Sequence, residues 1–130
     1  MQSSKFDSKN IINHFRNDPD AVSYQAGEFL YKSGEHDDKI YGIAEGTIEI
    51  IFQGQVFERV NAGGICGERT FIDDYPHTTS ARALTDCKIV HVHEEKFLFL
   101  VHETPTFALQ VMRQIVQRSR KLTRLLRDEN

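Results

Sequence analysis

Cysteine is scarce in this sequence: Cys66 and Cys87 are the only two, they lie far apart, and no CxxC pair occurs. A small fold held together by disulfides is therefore excluded. Long hydrophobic runs are also missing. The first residues contain no apolar signal region, and no apolar stretch approaches the roughly 20 residues of a membrane span. We expect a reduced, cytoplasmic protein without a membrane partner.

The charge is unevenly distributed along the 130 residues, whose formal net charge is −3. Residues 106–130 hold six arginines and lysines against two carboxylates, a net charge of +4, so the rest of the chain carries −7. An acidic body disfavours DNA binding, because that affinity comes largely from neutralising phosphates. We therefore predict no nucleic-acid partner. The basic end is either a contact surface or a set of cations that suit the C-terminus of a helix.

The length predicts a single domain, 1–130, and the composition divides it into three zones. Residues 8–18 predict a short helix in which Ile11, Ile12 and Phe15 share a face. Residues 22–93 predict strands, and residues 94–127 predict helices.

The middle zone is marked by its glycines, all eight of which fall between Gly27 and Gly67 and separate short β-rich runs. This spacing is typical of a barrel or sandwich. The alternation within Thr47–Phe52 predicts a half-buried strand, and Gln53-Gly54 predicts a tight hairpin turn. The predicted strands are Phe29–Tyr31, Ile40–Ala44, Thr47–Phe52, Val56–Val60, Thr79–Leu84 and Cys87–His93.

The last zone contains a strong helix start, since the hydroxyl of Thr104 can cap a helix that has Pro105 at its first position. A stripe then recurs at helical spacing, formed by Ala108, Met112, Ile115, Ser119, Leu122 and Leu126. A helix of about 30 Å or more is hard to cover with a small β-roll alone. We therefore predict a homodimer through residues 105–127. The alternative is a helix packed only on its own domain.

The residues that carry chemistry lie in Asn61–Ile72, which we call the cassette loop. Its glycines form a bend that enters a short helical turn, and such a bend presents several backbone N–H groups to an anion. Glu68 follows Gly67 directly, and its carboxylate could accept hydrogen bonds from sugar hydroxyls. Because many β-turns contain two or three glycines, this pattern alone does not identify an anion site, and the surrounding sequence is needed to interpret it.

That surrounding sequence, from Tyr24 to Arg120, resembles the cyclic-nucleotide-binding domain family, including the sensor domains of catabolite-activator-type regulators. Four motifs carry the resemblance in the family's order: Gln25–Glu35, Ile40–Ile50, Gly63–Glu68, and Lys96-Phe97 followed by Thr104-Pro105. The resemblance implies a mainly-β, jelly-roll-like β-roll (a double-stranded β-helix) with a short N-terminal helix and a long C-terminal helix. No helix-turn-helix follows in this sequence, which adds to the expectation of no direct DNA binding.

The resemblance also implies roles for individual residues. Gly67 and neighbouring backbone N–H groups would approach a cyclic phosphate, and Glu68 would bind the ribose 2′-hydroxyl. The family's phosphate-binding arginine falls on His77, with Thr78 after it. Thr123, on the long helix, lies where some members contact the base.

The sequence departs from the family's pattern at two of these positions. An imidazole at His77 cannot reproduce the permanent, two-pronged charge of guanidinium, and it is mostly neutral at pH 7. Losing such a contact costs about 1.5–3 kcal/mol. Arg69 stands where the family has an apolar residue, and it could supply charge from another direction. Phosphate recognition is therefore expected to be weakened, rearranged or lost.

Two hypotheses about function follow. The first is a ligand-sensing regulatory domain that binds cyclic AMP, cyclic GMP or a related small anion weakly or in a pH-sensitive way. The second is a sensor for another ligand, or a ligand-free protein-interaction module, on the same fold. No Ser–His–Asp or Cys–His constellation has supporting spacing. We therefore expect neither an enzyme nor a bound cofactor, beyond a possible cyclic nucleotide as ligand.

A third, weaker hypothesis is a metal-binding barrel of the cupin kind, because His91 and His93 lie on one strand face. A cupin also needs a carboxylate and a third histidine from a later strand, and neither follows. A pair of solvated histidines at a strand end is the alternative. Cys66, beside the cassette loop, is either a redox centre or a small buried thiol.

Overall fold

The computed structural model describes residues 11–128 and consists of eight strands and three helices within that range. The strands are β1 Val22–Tyr24, β2 Phe29–Tyr31, β3 Ile40–Glu45, β4 Thr47–Phe52, β5 Gln55–Asn61, β6 Ile65–Cys66, β7 Ser80–Ala83 and β8 Cys87–Val92. The helices are α1 Glu68–Asp73, α2 Glu94–Glu103 and α3 Thr106–Asp128. The predicted β-roll with a long C-terminal helix is confirmed.

The strands form two four-stranded antiparallel sheets, in the orders β1-β8-β3-β6 and β2-β7-β4-β5. The first sheet lies between two hydrophobic cores, because alternate residues of β8 point to its opposite faces. Ile89 points into the core between the sheets, while Val90 and Val92 point into a second core beneath the helices. Phe107 and Val111 of α3 are buried in that second core, so α3 is anchored directly to the first sheet.

The predicted hairpin between β4 and β5 is confirmed. Ile48 pairs with Val60 in its ladder, and its turn residues Gln53 and Gly54 have φ of 51° and 81°. Two positive φ angles are typical of the type I′ turn, whose twist matches that of the flanking strands. Two very short strands, β1 and β6, were not predicted, because two or three residues show no measurable alternation.

The predicted N-terminal helix is wrong where the structure can test it. Residues 11–20 form turns, while residues 8–10 lie outside the described part of the chain. The side chain of Asn13 accepts a hydrogen bond from Phe15 N at 2.9 Å and donates one to Ala44 O at 3.1 Å. Asparagine side chains that capture backbone groups in this way compete with helix formation. Phe15 is buried, whereas Ile12 is 55% exposed, so the two do not share a packed face.

The stripe predicted on α3 is also only partly right. Phe107, Val111 and Arg118 are the buried residues of the helix, and Ile115 is half-buried, but Met112 is 52% exposed. The aromatic contact between Phe107 and Phe97 of α2, with ring centroids 5.7 Å apart, fixes the rotation of the helix. A stripe built from apolar residues alone missed the buried arginine.

Candidate functional site

A cavity of about 200 Å³ lies between the cassette loop and the inner side of α3. Gly67 lies in this loop directly before α1 and has φ of 73°, and a Cβ placed there would lie 2.8 Å from the ring of Tyr41. Only glycine therefore fits both the backbone angle and the space. The cavity is lined by five of the six residues predicted from the sequence, namely Gly67, Glu68, Arg69, His77 and Thr78.

The sixth predicted residue, Thr123, is exposed and does not line the cavity. Ser119 and Leu122 contribute to the wall from α3 instead. Successive helical residues are rotated by about 100°, so Thr123 turns away where Leu122 faces the cavity. The structure does not bring Thr123 together with the other predicted residues.

Glu68 is held by a buried arginine that the sequence did not reveal. Arg118 Nη1 donates to Glu68 Oε1 at 2.6 Å, and Arg118 Nε donates to Glu58 Oε1 on β5 at 2.9 Å. Its remaining nitrogen, Nη2, donates to Ile65 O at 2.8 Å. All three guanidinium nitrogens are thus engaged, and one side chain ties α3 to β5, β6 and the cassette loop.

Electrostatics favours this charged state of Arg118. Burial lowers the pKa of Arg118, but the attraction of Glu68 and Glu58 outweighs burial and raises the pKa above its ordinary value. Arg118 is only 6% exposed, and charges at such a position are tolerated because they are paired. The sequence signal, visible in retrospect, is one arginine in line with Ile115 and Leu122 on the inner face of the helix.

His77 is held in the opposite wall by a carboxylate. Its Nε2 donates to Asp37 Oδ2 at 2.9 Å, and its ring stacks on Tyr31 with centroids 3.8 Å apart. Asp37 also accepts hydrogen bonds from Thr70 Oγ1 at 2.7 Å and from the Tyr41 hydroxyl at 2.8 Å. The imidazole is therefore fixed in place, and its charge, when present, is already compensated.

Asp37 remains a carboxylate because of these contacts. Burial raises its pKa, but the hydrogen bonds from His77, Thr70 and Tyr41 outweigh burial and leave the pKa below its ordinary value of 3.8. A carboxylate whose pKa is lowered by folding stabilises the native state above its unfolded pKa. That contribution disappears as the pH falls from about 3.8 through the folded-state pKa.

We expect Asp37→Asn to reduce the free energy of unfolding most at neutral pH and progressively less below pH 3.8. The variant lacks the carboxylate whose ionisation is coupled to folding. Chemical denaturation at a series of pH values measures the difference. Asp38→Asn is the matched control, since that side chain is 86% exposed. A destabilisation that stays constant down to low pH would contradict the assignment.

Arg69 lines the mouth of the cavity but does not point its charge at His77. It is exposed, and its guanidinium carbon lies 5.6 Å from the centroid of the Tyr75 ring. This distance is typical of a cation–π contact. The charge that Arg69 could bring to a ligand is therefore directed at the rim.

The other candidate residues have ordinary structural explanations. His91 Nε2 and the Tyr24 hydroxyl are hydrogen-bonded at 2.9 Å, and His93 Nδ1 lies 3.2 Å from Asp38. Within residues 11–128 no three histidines, cysteines or acids are grouped so that they could hold a metal. Burial raises the pKa of the Cys66 thiol to about 12, which disfavours the reactive thiolate.

None of the helices between residues 11 and 128 combines the length and apolar character that crossing a membrane requires.

The described part of the chain is a β-roll in which α3 and the cassette loop border one cavity. The sequence model named Cyclic nucleotide-binding domain matches residues 21–104, well over half of the chain. The chain belongs to the cyclic nucleotide-binding domain family.

One relative is similar in sequence, and two solved structures are similar in fold. The cAMP-dependent protein kinase regulatory subunit of Emericella nidulans is 29% identical over 80 residues, which cover 60% of this chain and 19% of the fungal protein. The solved structure of cAMP-bound PfPKA-R has a TM-score of 0.69 at 22% identity, over 81% of this chain and 36% of that one. The Catabolite Activator Protein of Thermus thermophilus has a TM-score of 0.67 at 22% identity, over 82% of this chain and 52% of that one. This chain therefore spans about a fifth of the fungal subunit and about half or less of the two structures.

Proposed function

We propose that this domain senses a nucleotide-type ligand in the cavity beside the cassette loop, and that it binds cyclic AMP or cyclic GMP weakly. The observation that carries the proposal is the meeting of Gly67, Glu68 and His77 around one cavity that α3 closes. The domain would act as a regulatory module in the cytoplasm, without catalysis of its own and without contact to nucleic acid.

Support for binding comes from the chemistry of the walls. Ile72, Ile115 and Leu122 supply apolar surface on which a flat base can lie. Glu68 uses Oε1 for Arg118, and because a carboxylate has about four acceptor positions, it keeps capacity for sugar hydroxyls. Thr78 adds a hydroxyl beside His77.

Signalling would follow because Glu68 would contact both the ligand and Arg118. A ligand hydroxyl that donates to the free acceptor positions of Glu68 draws on the same carboxylate charge that attracts Arg118 Nη1, whose hydrogen bond connects the cassette loop to α3. Weakening that bond changes the free energy with which the helix is held, and a ligand shifts a conformational equilibrium only through such a difference. Ligand occupancy would thus be reported at the surface of α3.

The homodimer predicted through residues 105–127 remains part of this proposal as a prediction. Met112 and Val116 on the outer side of α3 are 52% and 54% exposed, which supports a further contact there. Arg113 and Arg120 lie beside them on the same side, and the like charges of these arginines weigh against close pairing of two copies. Sedimentation equilibrium tests it: a monomer at all accessible concentrations would remove the homodimer from the proposal.

We predict that His77→Arg strengthens cyclic nucleotide binding by roughly ten- to a hundred-and-fifty-fold, because it restores a charge-assisted contact of about 1.5–3 kcal/mol. Thermal-shift titration with both cyclic nucleotides at about pH 7.5 measures the effect, since a ligand of the native state raises the melting temperature.

His102→Arg is the matched control, because His102 is 86% exposed and does not line the cavity. It should leave both titrations unchanged. If neither the native protein nor His77→Arg shows a ligand-induced shift with either cyclic nucleotide, the domain does not sense cyclic nucleotides.

The second candidate, a sensor of a different ligand or a ligand-free interaction module, is favoured by one observation. Asp37 already occupies Nε2 of His77 and compensates its charge, so phosphate meets no free cation at the position where the family has arginine.

A further inference from the structure

The cations around the cavity are already used by the protein. Arg118 directs its nitrogens at Glu58, Glu68 and a backbone carbonyl. His77 faces Asp37, and Arg69 lies over Tyr75 at the rim. An anion that enters the cavity meets no buried cation free of an acidic partner among the described residues, and the exposed Arg69 lies at the rim.

Carboxylates outnumber the buried cations at the same place. Asp37, Glu58 and Glu68 all bond directly to wall residues, and Arg118 is the one permanently charged buried group that faces them within residues 11–128. Lys121 lies 3.9 Å from Glu58, but its side chain is half exposed to water. Placing a phosphate beside these carboxylates adds a negative charge that no free buried cation compensates, which is unfavourable.

The groups that remain available suit an uncharged ligand. The hydroxyls of Thr78 and Ser119 and the acceptor positions of Glu68 can bond to sugar hydroxyls. Ile72 and Leu122 provide the apolar surface for a base. The wall therefore offers hydrogen-bonding partners for a diol and a stacking surface, but no free buried cation to compensate the charge of a phosphate.

We infer that the cavity selects an uncharged nucleoside, a ribose diol carrying a flat heteroaromatic base, in preference to the corresponding cyclic phosphate. This inference rests on the proposed function, since it takes the same cavity to be the ligand site. It names the class of ligand that the site prefers at neutral pH.

Calorimetric titration with adenosine, guanosine, cyclic AMP and cyclic GMP at about pH 7.5 tests the inference. We expect at least one nucleoside to bind at least about tenfold more tightly than its own cyclic phosphate, because it avoids burying an unpaired charge. The same base in each pair cancels the contribution of the apolar wall.

Two variants test whether the charges around the cavity cause the selectivity. His77→Arg should strengthen binding of the cyclic phosphates by about tenfold or more and leave the nucleosides within about threefold. Asp37→Asn removes one carboxylate and should shift the ratio in the same direction. Asp38→Asn, whose side chain is 86% exposed, is the control and should leave the ratio unchanged.

Two results overturn the inference, and they can be told apart. A cyclic phosphate that binds the native protein as tightly as its nucleoside contradicts the selectivity while the proposed function stands. No measurable binding of any of the four compounds removes the proposed function together with the inference. Circular dichroism of each variant confirms that it is folded.

Discussion

Replacing Arg118 by alanine is expected to lower the free energy of unfolding by about 3–5 kcal/mol, because it leaves the carboxylates of Glu58 and Glu68, only 15% and 14% exposed, without their main partner. The guanidinium contacts Glu58 and Glu68 at 2.9 and 2.6 Å, and it also satisfies the carbonyl of Ile65. This one side chain joins α3 to the second sheet, through Glu58 of β5, and to the cassette loop, through Glu68. Chemical denaturation at neutral pH measures the loss.

The loss should depend on the two carboxylates. Combining Arg118→Met with Glu58→Gln and Glu68→Gln should recover most of the stability, because the uncompensated charges are gone. Arg120→Ala, exposed on the same helix, is the control and should change stability by no more than about 0.5 kcal/mol. If Arg118→Ala and Arg120→Ala cost the same, the buried arginine does not hold the helix.

Phe15→Ala is expected to cost about 3–5 kcal/mol, typical of removing a buried phenylalanine and leaving a cavity. Phe15 is fully buried, and its ring lies 6.1 Å from the ring of Phe107 on α3. It also fills the space above Gly42, where a Cβ would come within 2.5 Å of the Phe15 ring. Denaturant unfolding monitored by circular dichroism measures the cost.

Ile12→Ala is the matched control from the same segment, since Ile12 is 55% exposed and its contacts to Gln110 are made by the backbone. It should change stability by about 0.5 kcal/mol or less. A small effect of Phe15→Ala would mean that the turns before β1 are not part of the core, and that the second core closes without them.

The strands were predictable because their signals are local. Alternation over six residues in Thr47–Phe52 and the Gln53-Gly54 turn both follow from short-range geometry. The turns at residues 11–20 were not predictable in the same way. They depend on a hydrogen bond between Asn13 and Ala44, which lies in β3, about 30 residues further along the chain. The spacing of apolar residues within the segment gives no information about such a distant partner.

Site residues were predictable where they lie close together in the sequence. They were not predictable where the fold brings them together from distant segments. Gly67, Glu68, His77 and Thr78 lie within twelve consecutive residues and were found. Asp37 and Arg118 come from segments 40 residues before His77 and 50 residues after Glu68. Thr123 was misplaced because a one-residue error on a helix rotates the side chain by about 100°.

The central claim is that a ligand in the cavity is reported by α3 through the bond between Glu68 and Arg118. Hydrogen exchange of the native protein, with and without a saturating ligand from the titrations above, tests it most directly. We predict changed protection both in residues 67–79 and in α3 beyond Ile115, and no change in α3 when Glu68→Gln is titrated in the same way. Changes confined to residues 67–79, with α3 unaffected, would contradict the claim.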